Sequence, residues 1–147
     1  LFPLGKKWAF GYLNLAVGEF FGAVLPKDEV LNVIAKLQPT EVLLPKENPA
    51  LEGEIKPLLK EVHFTKLPKE EFFGEDAKRE FLKHFSIPTL RVLNFEDDGA
   101  LPALASLLKY AKVTQKGFMP FVKRPKPYTG EIYAKVDLKA QKALELL

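Results

Sequence analysis

Residues 8–25 read WAFGYLNLAVGEFFGAVL, two runs of aromatic and aliphatic residues that are separated at Gly18. Runs of this kind are typical of β-strands, and a glycine between them allows the tight reversal that a hairpin needs. The stretch therefore predicts an antiparallel hairpin with strands over residues 8–15 and 19–25. Residues 1–4 precede the turn signal Gly5-Lys6-Lys7, and we expect them to be the remnant of a further antiparallel strand.

After the hairpin, helical and strand patterns alternate along the chain. Apolar residues at helical spacing predict four helices, beginning near residues 27, 48, 72 and 98. We expect Gly53 and Pro57 to weaken the second helix, Gly74 to break the third, and Asp97 or Asp98 to cap the fourth. Short apolar segments at 41–44 and 62–66 predict two more strands, the first of them interior. The whole pattern indicates an α/β domain with a mixed sheet and right-handed crossovers.

Composition excludes several classes of protein. The 147 residues are 47% hydrophobic and 28% charged, which is typical of a folded domain, and the absence of cysteine excludes disulfide scaffolds and thiolate metal sites. No apolar run approaches the roughly 20 residues that cross a bilayer, so we expect no membrane partner and a cytoplasmic location. The net charge of +3 comes mostly from lysines, which favours diffuse basicity over an arginine-rich nucleic-acid site.

The two ends of the chain suggest a module of a longer polypeptide. The sequence begins without an initiator methionine, and residues 136–147 show apolar residues at helical spacing up to the last residue. No glycine or asparagine stop signal follows that pattern. We therefore expect a helix that continues beyond the chain.

The sequence offers little catalytic chemistry. It contains neither a phosphate-binding G-x-x-x-x-G-K-S/T loop nor a G-x-G-x-x-G turn, and His63 and His84 lack ligand-spaced neighbours. A two-metal nuclease needs an aspartate in the first hairpin, where Asn14 stands instead. We interpret the acidic residues that follow position 69 as a solvated helix face: Glu70, Glu71, Glu75 and Asp76. No catalytic, cofactor-binding or metal-binding residue is therefore predicted.

A basic, proline-rich run at residues 123–128 is the one candidate for contact with a nucleic acid. Lys123, Arg124 and Lys126 could touch a phosphate backbone, and Tyr128 adds an aromatic ring. Prolines between the basic residues predict an extended segment. A solvated linker is the alternative interpretation of the same run.

Five short motifs occur in a fixed order along the chain. They are NLAVGEF at residues 14–20, PTEVLLP at 39–45, FLKHF at 81–85, ALASLLKYAKVTQ at 103–115 and VDLKAQKALEL at 136–146. Together they resemble the MutS family of bacterial DNA mismatch-recognition proteins, in its connector domain and the start of the lever/core domain. The chain departs from the family pattern at four positions. Polar residues of the family are replaced there by Asn14, Ala16, Ala140 and Ala143.

The resemblance implies a ribonuclease-H-like mixed sheet flanked by helices, followed by a C-terminal linker and helix. It implies a connector domain over residues 1–117, an extended linker over 118–130 and the first lever/core helix over 131–147. The fold would lack nuclease chemistry, which agrees with Asn14. ATP and Mg²⁺ would bind elsewhere in the full-length protein, which would be a homodimer, whereas this chain alone is expected to be a monomer without cofactors.

In that family the connector relays conformational change between the mismatch-binding and ATPase domains and helps to recruit MutL. The polar face of the third helix is the predicted docking surface, because charged faces steer transient association. Its residues are Lys78, Arg79, Glu80 and Lys83. Mismatched DNA would be bound through the full-length protein. Plain solvation is the alternative interpretation of that helix face. Two alternative functions also remain for the chain: a ribonuclease-H-like nuclease and a free-standing nucleic-acid-binding module.

Overall fold

The computed structural model describes residues 1–115 and 122–128 and the backbone of residues 144–146. The described strands are β1 Phe2–Leu4, β2 Lys7–Asn14, β3 Glu19–Pro26, β4 Glu41–Pro45, β5 His63–Leu67, β6 Lys126–Pro127 and β7 Leu144–Leu146. The described helices are α1 Lys27–Leu37, α2 Ala50–Ile55, α3 Lys69–Phe73, α4 Glu75–Phe85 and α5 Leu101–Thr114, with 3₁₀ turns at Lys56–Leu58 and Leu90–Leu93.

The β2–β3 hairpin forms as the sequence predicts. The two strands pair antiparallel along their whole length, from Lys7 opposite Pro26 to Asn14 opposite Glu19. Gly18 adopts a left-handed φ of 72°, which glycine reaches without a steric penalty. The predicted N-terminal strand is also confirmed, since β1 pairs antiparallel with β2.

The strands form one mixed sheet in the order β5-β4-β7-β2-β3-β6, with β1 paired to β2. β2 pairs antiparallel with its neighbours, whereas β4 lies parallel to both β5 and β7. β4 is therefore interior, as its apolar sequence predicts. The mixed α/β architecture is confirmed, and the strand order is compatible with a ribonuclease-H-like fold.

Strand β7 corrects one prediction. The helical spacing of residues 136–147 predicts a helix, but Leu144–Leu146 form a strand between β2 and β4. Both neighbouring strands have backbone groups to satisfy at that position, and such pairing overrides the weak helical preference of a short segment. The rest of the predicted helix lies outside the described residues.

The sheet separates two apolar cores. On one face, α3, α4 and α5 pack against residues such as Leu13 and Phe20. On the other face, α1 and α2 pack against residues such as Trp8 and Phe10. Because successive strand residues point to opposite faces, β2 contributes to both cores.

Two helix boundaries differ in detail from the expectation. Neither Asp97 nor Asp98 caps α5, whose N-cap residue is Ala100. The Asp97 carboxylate accepts the Gly99 N–H at 2.8 Å, and the Asp98 carboxylate accepts the Leu90 N–H at 2.8 Å. Both carboxylates therefore hold the preceding loop instead of the helix. The predicted break at Gly74 is confirmed, because α3 ends at Phe73 and α4 begins at Glu75.

Candidate functional site

Helix α4 carries the predicted docking residues, and it has two distinct faces. Its buried face is formed by Ala77, Phe81 and Phe85, which are 1%, 1% and 6% exposed. Arg79, Glu80 and Lys83 are exposed, and Lys78 is partly buried. The structure thus brings the four predicted residues together on one helix, where an aromatic core anchors the opposite side.

The charges on this face are partly organised within the helix. The Lys78 ammonium lies 3.2 Å from the Glu75 carboxylate, and the Arg79 guanidinium pairs with the Asp76 carboxylate. Pairs spaced three residues apart at an exposed surface contribute only about 0.2–0.5 kcal/mol each. They therefore leave both cations available to a partner that offers carboxylates.

His84 lies beside this surface at the end of α4. Its ring packs edge-on against the Phe85 ring, with 4.7 Å between the centroids. Burial lowers the pKa of His84 below its ordinary value, and the positive charge of Lys112 on α5 lowers it further. The ring is therefore more readily neutral than a fully solvated histidine, and the local charge comes from the lysines and Arg79.

The basic run forms a second candidate surface, which we call the strap and define as residues 122–128. Val122 is buried in the core beneath α4, and the Lys123 N–H donates to the Gly18 carbonyl at 2.9 Å. β6 then pairs parallel with β3, and the Tyr128 N–H donates to the Gly22 carbonyl at 2.8 Å. The predicted extended conformation is present, but the strap lies along the edge of the sheet.

The three basic side chains of the strap differ in their surroundings. Lys123, Arg124 and Lys126 are all exposed. Arg124 also donates from Nη2 to the Phe85 carbonyl at 3.2 Å. All three predicted phosphate contacts thus face solvent, and Arg124 in addition binds the end of α4.

Asn14, at the position where a nuclease needs an aspartate, is fully buried at the hairpin end of β2. Its Oδ1 accepts the Ala16 N–H at 3.0 Å, so the side chain closes the turn. Nearby, burial and the charge of Glu19 raise the pKa of Tyr12 well above its usual range, which keeps the phenol protonated. Within the described residues, no group of three or more acidic or histidine side chains is placed to hold a metal ion.

Helix α4, Asn14 and the start of the strap fall within a recognised domain. A family model described as MutS domain II matches residues 4–123. The chain belongs to the MutS family. It is 41% identical to the DNA mismatch repair protein MutS of Aquifex pyrophilus and 36% identical to that of Persephonella marina, over 99% and 96% of this chain. The Salinibacter ruber MutS is 28% identical over 94% of the chain.

The chain spans only 15–17% of the length of these MutS relatives. The MutS domain II match covers the hairpin, α4 and α5 and ends at the second residue of the strap. The resemblance that the sequence motifs indicate is therefore confirmed. No helix among the described residues is long and apolar enough to cross a membrane.

The structure of this MutS domain II chain also shows a polar cluster that the sequence did not reveal. Glu41, at the start of β4, accepts hydrogen bonds from the Thr65 hydroxyl at 2.6 Å and the Tyr110 hydroxyl at 2.7 Å. The three residues join β4, β5 and α5. They are distant in sequence, and only the parallel pairing of β4 with β5 brings the first two together. The motif PTEVLLP contains the glutamate, but it carries no signal for either partner.

A cavity of about 400 Å³ lies beside residues 22–24 of β3. It is lined by residues of the strand, of the loop before α5 and of the strap, including Val24, Phe95, Asp97 and Tyr128. Of these four residues, only Tyr128 belongs to a predicted site, the basic run at residues 123–128. The lining combines the Phe95 and Tyr128 rings with the carboxylates of Glu96 and Asp97 and with Lys7.

Proposed function

We propose that this chain is the connector module of a DNA mismatch-recognition ATPase. It relays conformational change between the mismatch-binding and ATPase domains, and α4 offers a docking surface for MutL. Membership in the MutS family through domain II carries the proposal. The charged face of α4 supports it, because the helix is anchored by buried Phe81 and Phe85 and presents exposed charges to a partner.

The chemistry of such a module is conformational. We propose that ATP and Mg²⁺ bind in other parts of the full-length protein, which acts in the cytoplasm as a homodimer and contacts mismatched DNA. The isolated chain is then a monomer without a cofactor. The proposed boundaries are 1–117 for the connector and 118–130 for the linker. Residues 131–147, expected as the start of the next domain, contribute β7 to the connector sheet at Leu144–Leu146.

The docking surface is tested by charge reversal in the full-length protein. Arg79→Glu with Lys83→Glu should weaken MutL recruitment at least tenfold and leave mismatch binding unchanged, because both exposed cations lie on the proposed face. Lys56→Glu with Lys60→Glu is the matched control. It makes the same change in charge at exposed lysines next to α2, which packs on the opposite face of the sheet.

MutL recruitment can be followed by pull-down or surface plasmon resonance at constant ionic strength. Equal loss in the test and control variants would show a general effect of charge. Unchanged recruitment in the test variant would remove α4 from the proposal.

A nucleic-acid-binding module is the second candidate, because Lys123 and Lys126 are both exposed along one sheet edge. A binder that neutralises several phosphates loses about 10³-fold or more in affinity when salt is raised a few-fold. Anisotropy of labelled heteroduplex DNA with the isolated chain, at two salt concentrations, measures this. Salt-sensitive binding that Lys123→Ala with Lys126→Ala abolishes would favour this candidate.

A ribonuclease-H-like nuclease is the third interpretation. The connector proposal predicts no Mg²⁺-dependent or Mn²⁺-dependent cleavage of DNA, RNA or a hybrid. The position of Asn14 supports that expectation, since its amide oxygen holds the hairpin turn. Cleavage that depends on added metal would overturn the connector proposal.

A further inference from the structure

Arg124 makes a polar contact between the strap and α4. Its Nη2 donates to the carbonyl of Phe85, the last residue of the helix, at 3.2 Å. The last four carbonyls of a helix lack partners within it, and the helix dipole favours a cation at that end. The guanidinium therefore meets both requirements of the α4 terminus.

The strap is fixed to the sheet on both sides of Arg124. The Lys123 N–H bonds to the Gly18 carbonyl, and the Tyr128 N–H bonds to the Gly22 carbonyl. The Tyr128 ring also packs on the rings of Phe10 and Phe21, at 5.4 and 5.5 Å between centroids. Movement of Arg124 therefore acts on the short, ordered backbone of the strap between Lys123 and Tyr128.

Apolar contacts connect the same two elements below the surface. Val122 belongs to the core that contains Phe81 and Phe85. The Phe20 ring, on the strand beside the strap, lies 5.9 Å from the Phe81 ring and 6.2 Å from the Phe85 ring. Since packed cores transmit small displacements, movement of α4 changes the surroundings of Val122 and Arg124 together.

We propose that Arg124 is a positioning residue that couples the docking helix α4 to the strap. The proposal rests on the docking function proposed for α4, and it names the regulation of that site. A partner that binds near Lys83 displaces the final turn of α4, which carries the Phe85 carbonyl. The strap responds because its guanidinium is bonded to that carbonyl, and the chain continues from the strap to the residues after 128.

The first test is an NMR titration of the whole chain with the N-terminal ATPase domain of MutL. Backbone amides of residues 79–83 report docking, and those of Lys126 and Tyr128 report the strap. In the native chain both groups should shift. In Arg124→Ala the docking shifts should remain and the strap shifts should be lost, while Arg124→Lys, which keeps a cationic donor, should restore them.

Lys123→Ala is the matched control, because it removes a neighbouring exposed cation and leaves the backbone bond to Gly18 intact. It should behave like the native chain in both groups of amides. Strap shifts that persist in Arg124→Ala, or docking without strap shifts in the native chain, would overturn the coupling.

The second test needs no partner, so it distinguishes failure of the coupling from failure of the docking proposal. Lys83→Gly loosens the last turn of α4, because glycine is a poor helix former. Hydrogen exchange at the Tyr128 amide should accelerate in Lys83→Gly. In a double-mutant cycle with Arg124→Ala, the two effects should differ from additivity by at least about twofold in rate.

Additive effects in that cycle would overturn the coupling even if MutL binds α4. A non-additive cycle with no MutL shifts would retain the coupling and reject the docking proposal.

Discussion

Gly11 and Gly22 lie opposite each other in the β2–β3 hairpin, beneath α5. A Cβ atom on Gly22 would lie 2.6 Å from the Phe10 carbonyl oxygen and 3.0 Å from Leu104 Cδ2. The first distance involves backbone, so the hairpin or the helix would have to move. We expect Gly22→Ala to lower the free energy of unfolding by about 1–3 kcal/mol, the usual effect of overpacking. Urea denaturation followed by circular dichroism measures the change.

Gly53 provides the matched control for that substitution. It lies within α2, and a Cβ atom there would meet nothing within 4 Å. Gly53→Ala should therefore raise the free energy of unfolding by about 0.5–1 kcal/mol, because alanine favours the helix and restricts the unfolded chain. The interpretation of the hairpin would be wrong if Gly22→Ala were as well tolerated as Gly53→Ala.

The surroundings of His84 give a second prediction at the residue scale. Burial is the main cause of its lowered pKa, and Lys112 is the second cause. Lys112→Gln should move the pKa upward but leave it below the ordinary value, since the burial remains. An NMR titration of the His84 ring protons in both chains measures this directly. An unchanged pKa in Lys112→Gln would show that the lysine charge is screened.

The same shift has a defined consequence for stability. Because the folded-state pKa is lowered, the folded chain favours the neutral ring. The contribution of the neutral His84 ring to the free energy of unfolding is complete above the ordinary pKa of histidine. It is lost as the pH falls through the lowered pKa of the folded chain. His84→Gln should remove that part of the acid-side decline in unfolding free energy.

At the scale of elements, β7 invites a direct test of the sheet. Leu144–Leu146 pair antiparallel with Tyr12–Asn14 and parallel with β4. Proline lacks an N–H, so Glu145→Pro removes a ladder hydrogen bond from a central strand. We expect faster hydrogen exchange of the backbone amides at residues 12–14 and 41–42.

Glu145→Thr is the control for the change at β7, because threonine keeps the N–H and favours strands. It should leave exchange at the β2 end slow. Equal exchange rates in Glu145→Pro and the native chain would contradict the placement of β7 between β2 and β4.

Local sequence signals predicted the hairpin and the break between α3 and α4, because Gly18 and Gly74 act on their own neighbours. The helix expected over residues 136–147 failed at Leu144–Leu146 because the pairing that decides those residues comes from β2 and β4. The prediction that Asp98 caps α5 failed for a similar reason. The Asp98 carboxylate accepts a hydrogen bond from the N–H of Leu90, eight residues away. Contacts distant in sequence overrode local preference in both cases.

The candidate site divides in the same way. Lys78, Arg79, Glu80 and Lys83 could be found from sequence because a single helix carries them outside its buried aromatic face. The contact of Arg124 with Phe85 spans 39 residues, and that of Tyr110 with Glu41 spans 69. No periodic pattern carries such information, so both contacts required the structure.

At the scale of the whole molecule, the two cores should unfold together because β2 lies between them. Leu104 is fully buried on the α5 side, and Trp8, the single tryptophan, is buried on the other side. Leu104→Ala should lower the free energy of unfolding by about 2–5 kcal/mol and the urea midpoint by about 1–2.5 M. Trp8 fluorescence should show the same shift as circular dichroism, since domains of this size usually unfold in one transition. Ile34→Ala is the control, because it removes a buried side chain from the core that contains Trp8. It shows how a substitution in that core affects the Trp8 fluorescence directly. If Leu104→Ala shifted circular dichroism but left the Trp8 transition in place, the cores would be independent.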